Sequence, residues 1–127
     1  MKLRIRDNSI RLRLTRAEVE TLSTDGLVGG KVPFPAGAQF VYCLESSPAC
    51  VDPTAQFAEG ELSVRLPEAA VQDWAGSGEV AISAVQMLDD GGTLNILVEK
   101  DFECLAPRPG EDESDMFPHP QKDEAGC

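Results

Sequence analysis

Apolar and polar residues alternate from the second position of the chain. Leu3 and Ile5 lie on one side of a first run, and Ile10, Leu12 and Leu14 on one side of a second. Lys2, Arg4, Arg6, Arg11 and Arg13 fill the other side. A two-residue period marks half-buried strands, and Asp7–Asn8 between the runs marks a tight hairpin with Asn8 where φ > 0 is wanted. The period then changes. Thr15 and Glu18 have the spacing of a capping box, Ala17, Val19 and Leu22 form a short helical face, and Asp25–Gly26 is a stop. Alternation returns at Phe40, Tyr42 and Leu44.

The same text is written twice. IRLRLTRAEVETLSTDGLV (10–28) recurs as LSVRLPEAAVQDWAGSGEV (62–80). At this offset of 52, Arg13, Leu14, Ala17, Val19, Gly26 and Val28 return as Arg65, Leu66, Ala69, Val71, Gly78 and Val80, while Leu22 becomes Trp74. Upstream, Ile5–Ile10 aligns with Phe57–Leu62; downstream, at offset 54, Phe40, Tyr42 and Leu44 align with Leu94, Ile96 and Val98. Pro67 stands at the first turn of the second helix, where a missing N–H costs nothing. The pattern therefore predicts an α+β fold of two ββαββ units with antiparallel sheets, related by a pseudo-twofold and sharing one core. One domain is expected over 1–106, with half-repeats of about 1–52 and 53–106. Matched positions are nearly all apolar or turn residues, so the repeat reports packing more than two ligand sites.

Composition changes the picture at the ends. The chain has 127 residues and a net charge of −11, yet six of its eleven cations lie in the first sixteen residues. Such an acidic chain does not suit nucleic acid or an anionic membrane. The hairpin sets Lys2 opposite Arg13 and Arg4 opposite Arg11, and like charges in register are destabilising. Arg stems covering apolar surface would explain such a face. A face that docks an anion or a partner would also do so, through Lys2, Arg4, Arg6, Arg11 and Arg13. From 107 to 127 the chain is an acidic, proline-containing tail. Its Glu111, Asp112, Asp115 and Phe117 are candidates for docking on that hairpin.

The opening MKLRIRDNSIRLRLTRAEV and the closing VEKDFECLAPRPGEDESDMFPHP resemble the two signatures of a family of small, uncharacterised bacterial proteins of unknown function. The resemblance implies that the tail signature belongs to the protein's design. It supplies no activity and no catalytic residue.

Catalytic chemistry is thinly represented. His119 is the only histidine, and GLVGGKV (26–32) lacks the spacing of a phosphate loop. The four cysteines, Cys43, Cys50, Cys104 and Cys127, form no C-x-x-C pair. No cofactor and no metal site is expected. The reading is a cytoplasmic binding or regulatory module that takes a protein or a small anionic ligand, with a homodimer open as an arrangement. The alternative is an orphan enzyme or metal-dependent protein using Cys104, Asp112, Asp115 and His119.

Overall fold

The computed structural model describes residues 1–102. Strand β1 (Lys2–Arg6) folds back on β2 (Ser9–Leu14) in the register that the alternation requires, with Lys2 opposite Arg13, Arg4 opposite Arg11 and Ile5 opposite Ile10. The left-handed turn residue is Asp7, at φ 50°, and not Asn8. Asn8 has another role: its Nδ2 donates to the Thr93 carbonyl at 3.1 Å, and its own carbonyl accepts from the Asn95 amide at 2.8 Å.

Helix α1 (Arg16–Asp25) begins at a true capping box. Thr15 Oγ1 accepts from the Glu18 amide at 3.3 Å, and Glu18 Oε1 accepts from the Thr15 amide at 2.9 Å. Gly26 ends the helix at φ 81°, a conformation that favours glycine, with its N–H on the Leu22 carbonyl. Val19 and Leu22 are buried, whereas Ala17 is exposed.

β3 (Leu27–Pro33) and β4 (Gln39–Ser47) form a second antiparallel hairpin around a short 3₁₀ turn. The series then repeats as β5 (Thr54–Ala58), β6 (Glu61–Pro67), α2 (Glu68–Ala75), β7 (Ala81–Met87) and β8 (Thr93–Lys100). Pro67 closes β6 and caps α2, one step earlier than the first-turn position expected.

Each hairpin is antiparallel, but the two hairpins of one repeat do not pair with each other. One sheet has the order β1-β2-β8-β7 and the other β3-β4-β6-β5. Each repeat thus gives its first hairpin to one sheet and its second to the other. The junctions are parallel, β2 with β8 and β4 with β6. Matching backbone bonds fix both junctions. Asn95 N–H donates to the Asn8 carbonyl at 2.8 Å, and Val41 N–H to the Gly60 carbonyl at 2.9 Å. Likewise Ser46 N–H donates to the Gly26 carbonyl and Lys100 N–H to the Val80 carbonyl. The first two bonds match under the offsets of 52 and 54; in the second two Val80 answers to Gly26 at offset 54, two residues on from the Gly78 that the sequence matched, so the pseudo-twofold extends to the hydrogen bonds.

The inner faces of both sheets and both helices meet in one cluster. It includes Leu12 and Leu14 from β2, Leu44 from β4, Val64 and Leu66 from β6, and Ile96 and Val98 from β8. Leu22 and Trp74 hold equivalent positions, both fully buried. Trp74 also donates from Nε1 to the Val80 carbonyl at 3.1 Å, which satisfies its one polar atom. The inward row thins at the hairpin turns, opposite the end that carries the helices. There Ile5 and Phe57, another equivalent pair, are largely exposed. Gln86 on the edge strand β7 donates from Nε2 to the Ala55 carbonyl at 3.2 Å and accepts from the Ala55 amide at 2.7 Å. That link occupies backbone groups of the facing edge strand β5.

Replacing Trp74 with alanine would leave a large cavity at the meeting point of α2 and both sheets. Trp74→Ala should cost about 3–5 kcal/mol in a denaturant titration. A loss below about 1 kcal/mol would show that the ring does not fill the core.

Candidate functional site

The outward residues of β1 and β2 are Lys2, Arg4, Arg6, Arg11 and Arg13, as their alternation requires. The structure brings them onto one face of the sheet β1-β2-β8-β7 and adds a residue that the sequence reading missed. Parallel pairing of β2 with β8 puts Glu99 beside Arg13. Glu99 Oε1 accepts from Arg13 Nε at 2.6 Å and from Arg11 Nη2 at 3.0 Å. Glu99 is only 8% exposed. Lys2 Nζ lies 3.1 Å from Asp101, just past the end of β8. The repulsion across the hairpin is therefore relieved first by carboxylates of the neighbouring strand and the residues that follow it.

The relief is partial. Arg11 Nε and Arg13 Nη2 are buried and meet no hydrogen-bond acceptor among the described residues. Leaving a buried donor unmet carries a desolvation penalty, greatest for a charged group. Arg4 and Arg6 are exposed and make no ion pair among the described residues. Beyond Glu99 the face changes character. Ser83, Val85 and Met87 of β7 pair with Leu97, Asn95 and Thr93 of β8, and none of the six is charged. Val85 and Met87 are more than half exposed. The outer face thus joins a cationic half to an uncharged, partly apolar half.

The second sheet shows the same framework without the cationic cluster. Arg65 and Glu45 pair across the parallel junction of β4 and β6, the equivalents of Arg13 and Glu99. Their contact is 3.6 Å and both side chains are about half exposed. Ser63 and Cys43 occupy the places of Arg11 and Leu97. Burial pushes the Cys43 thiol up, and Glu61 and Glu45 add to the effect against an opposing hydrogen bond from Ser63. Burial likewise raises the Cys50 thiol. Neither is disposed to be a thiolate nucleophile at neutral pH.

A cavity of about 610 Å³ opens between α1, α2 and the end of β8, with Leu14, Val19, Ala75 and Phe102 among its apolar lining. Its size suits a small ligand. Two of its polar groups engage each other: Ser23 Oγ donates to Gln72 Oε1 at 3.1 Å, and Gln72 Nε2 donates to the Ser23 carbonyl at 3.0 Å. Lys100 Nζ donates to the Ser77 carbonyl at 2.9 Å and lies 5.7 Å from the centre of the Trp74 ring. Among the described residues no histidine or cysteine lines the cavity.

Glu111, Asp112, Asp115 and Phe117, and also Cys104 and His119, lie outside the described residues. Among the described residues no group of three or more His, Cys, Asp or Glu side chains could hold a metal ion, and no helix is long and apolar enough to cross a membrane.

Compared with known proteins, residues 1–121 match the model of a family described as a family of unknown function, DUF7009. No curated protein and no solved structure matches the chain.

The two related ion pairs should respond differently to loss of their carboxylate. Glu99→Gln removes the charge between two largely buried guanidinium groups and should cost about 3 kcal/mol. Glu45→Gln removes an exposed partner and should cost less than about 1 kcal/mol. Equal losses in urea titration would mean that Glu99 is no more important to the fold than its surface counterpart.

Proposed function

We propose that this chain, which belongs to the DUF7009 family, is a binding module whose basic outer face takes a carboxylate-bearing segment of a protein. The observation that carries this reading is the state of the arginines. Glu99 and Asp101 answer part of the positive charge, while Arg4 and Arg6 make no ion pair among the described residues. Arginine presents a planar fork of donors that matches a carboxylate with two parallel bonds. The neighbouring Leu97, Val85 and Met87 give an apolar contact that inorganic ions would not use. That favours a peptide over a small free anion. A cytoplasmic setting fits the free thiols of Cys43 and Cys50.

The experiment compares the full chain with an Arg4→Ala/Arg6→Ala variant. Both positions are exposed, so the fold should be retained. The probe is a synthetic acidic peptide carrying one phenylalanine, with inorganic phosphate as the second arm. The peptide should bind the unaltered chain, lose about threefold or more in affinity in the variant, and weaken as salt rises. Phosphate should compete poorly. Equal affinity of the two proteins for the peptide would refute the reading, and phosphate binding tighter than peptide binding would make the face a small-anion site instead.

A further inference from the structure

We infer that the resident occupant of this face is the chain's own segment Glu111–Phe117, docked within the same molecule. The inference rests on the reading of the face as an acceptor of acidic peptide, and adds which peptide.

Three independent features point to this segment. The first is chemical match. The face combines cations on β1 and β2 with an uncharged strip at Leu97, Val85 and Met87. The segment reads EDESDMF (111–117), four carboxylates followed by two apolar residues. The second is period. In an extended segment alternate residues share a side, so Glu111, Glu113, Asp115 and Phe117 would project together at about 6.6 Å intervals. Lys2, Arg4 and Arg6 alternate along β1 with the same period. Three carboxylates can therefore follow a row of cations.

The third is reach. Asp101 N–H donates to the Leu14 carbonyl at 2.8 Å, and Asp101 lies beside Lys2. The described chain thus ends at the corner where the basic face begins. From Lys2 to Arg6 the face is four residues long, about 13 Å. The ten residues from Asp101 to Glu111 can span up to about 33 Å, enough to place the acidic segment anywhere on it. A short tether also holds its end at an effective concentration near the millimolar range. Contacts that are weak for a free peptide are then enough to keep the face covered.

The test uses the full chain throughout. The probe is the free peptide PGEDESDMFPHP (109–120), titrated by calorimetry into the unaltered protein and into a variant with Glu111→Gln, Asp112→Asn, Glu113→Gln, Asp115→Asn and Phe117→Ala. The variant should bind the peptide at least tenfold more tightly. That advantage should shrink between low and high salt, and backbone amide signals of residues 2–13 should differ between the two proteins before peptide is added. If both proteins bind the peptide equally, and Arg4→Ala/Arg6→Ala still weakens it, the tail is not the occupant while the face remains a binding site. If neither protein binds the peptide, both readings fall. If the difference in amide signals grows with protein concentration and a dimer sediments, the occupant is a second copy's tail, and docking within one molecule is overturned.

Discussion

Two parallel strand pairs, β2 with β8 and β4 with β6, are the constraint on which the rest of this structure depends. Each joins a hairpin of one repeat to a hairpin of the other. Without them there are four two-stranded hairpins, and an isolated hairpin is marginal in water. With them there are two four-stranded sheets whose inner faces can bury Leu12, Leu44, Val64 and Val98 around the two helices. Neither repeat completes a sheet alone. The core therefore forms from contacts between residues far apart in the chain, which favours all-or-none folding.

The same constraint shapes the basic outer face. Parallel pairing in this register puts an outward acid of one repeat beside an outward arginine of the other, in both sheets. In the second sheet the result is a loose surface pair, Arg65 with Glu45. In the first, Arg11, Arg4 and Lys2 surround Arg13, and the equivalent acid Glu99 is drawn into a largely buried contact with two guanidinium groups. One backbone framework thus carries a neutral version and a charged version of one arrangement. The difference lies in a few side chains on β1 and β2, where serine, threonine and glutamine in one repeat stand for arginine and lysine in the other. The symmetric part of the molecule is its core and the asymmetric part is its surface, and the functional proposal rests on the asymmetric part.

Much of this was legible in the linear order of residues. The alternation at Leu3–Leu14 determined the first hairpin and its register, because a slip of one residue would turn every apolar side chain outward. Thr15, Glu18 and Gly26 determined the ends of α1, because their hydrogen bonds are local. The double appearance of Arg13 and Leu22 as Arg65 and Trp74 determined that the fold is duplicated, and the basic side chains on the first hairpin were readable as one face. The sequence by itself did not say which hairpin joins which. Local pattern reports the hairpins, whose partners are a turn apart, but it is silent on strand pairs more than eighty residues apart such as β2 and β8. For the same reason Glu99 was invisible as a counter-ion, although its recurrence from Glu45 at the downstream offset was a signal that could have been read. Only the tertiary structure decided that pairing, and with it which of the arginines are answered by Glu99 and Asp101 and which stay exposed on the outer face.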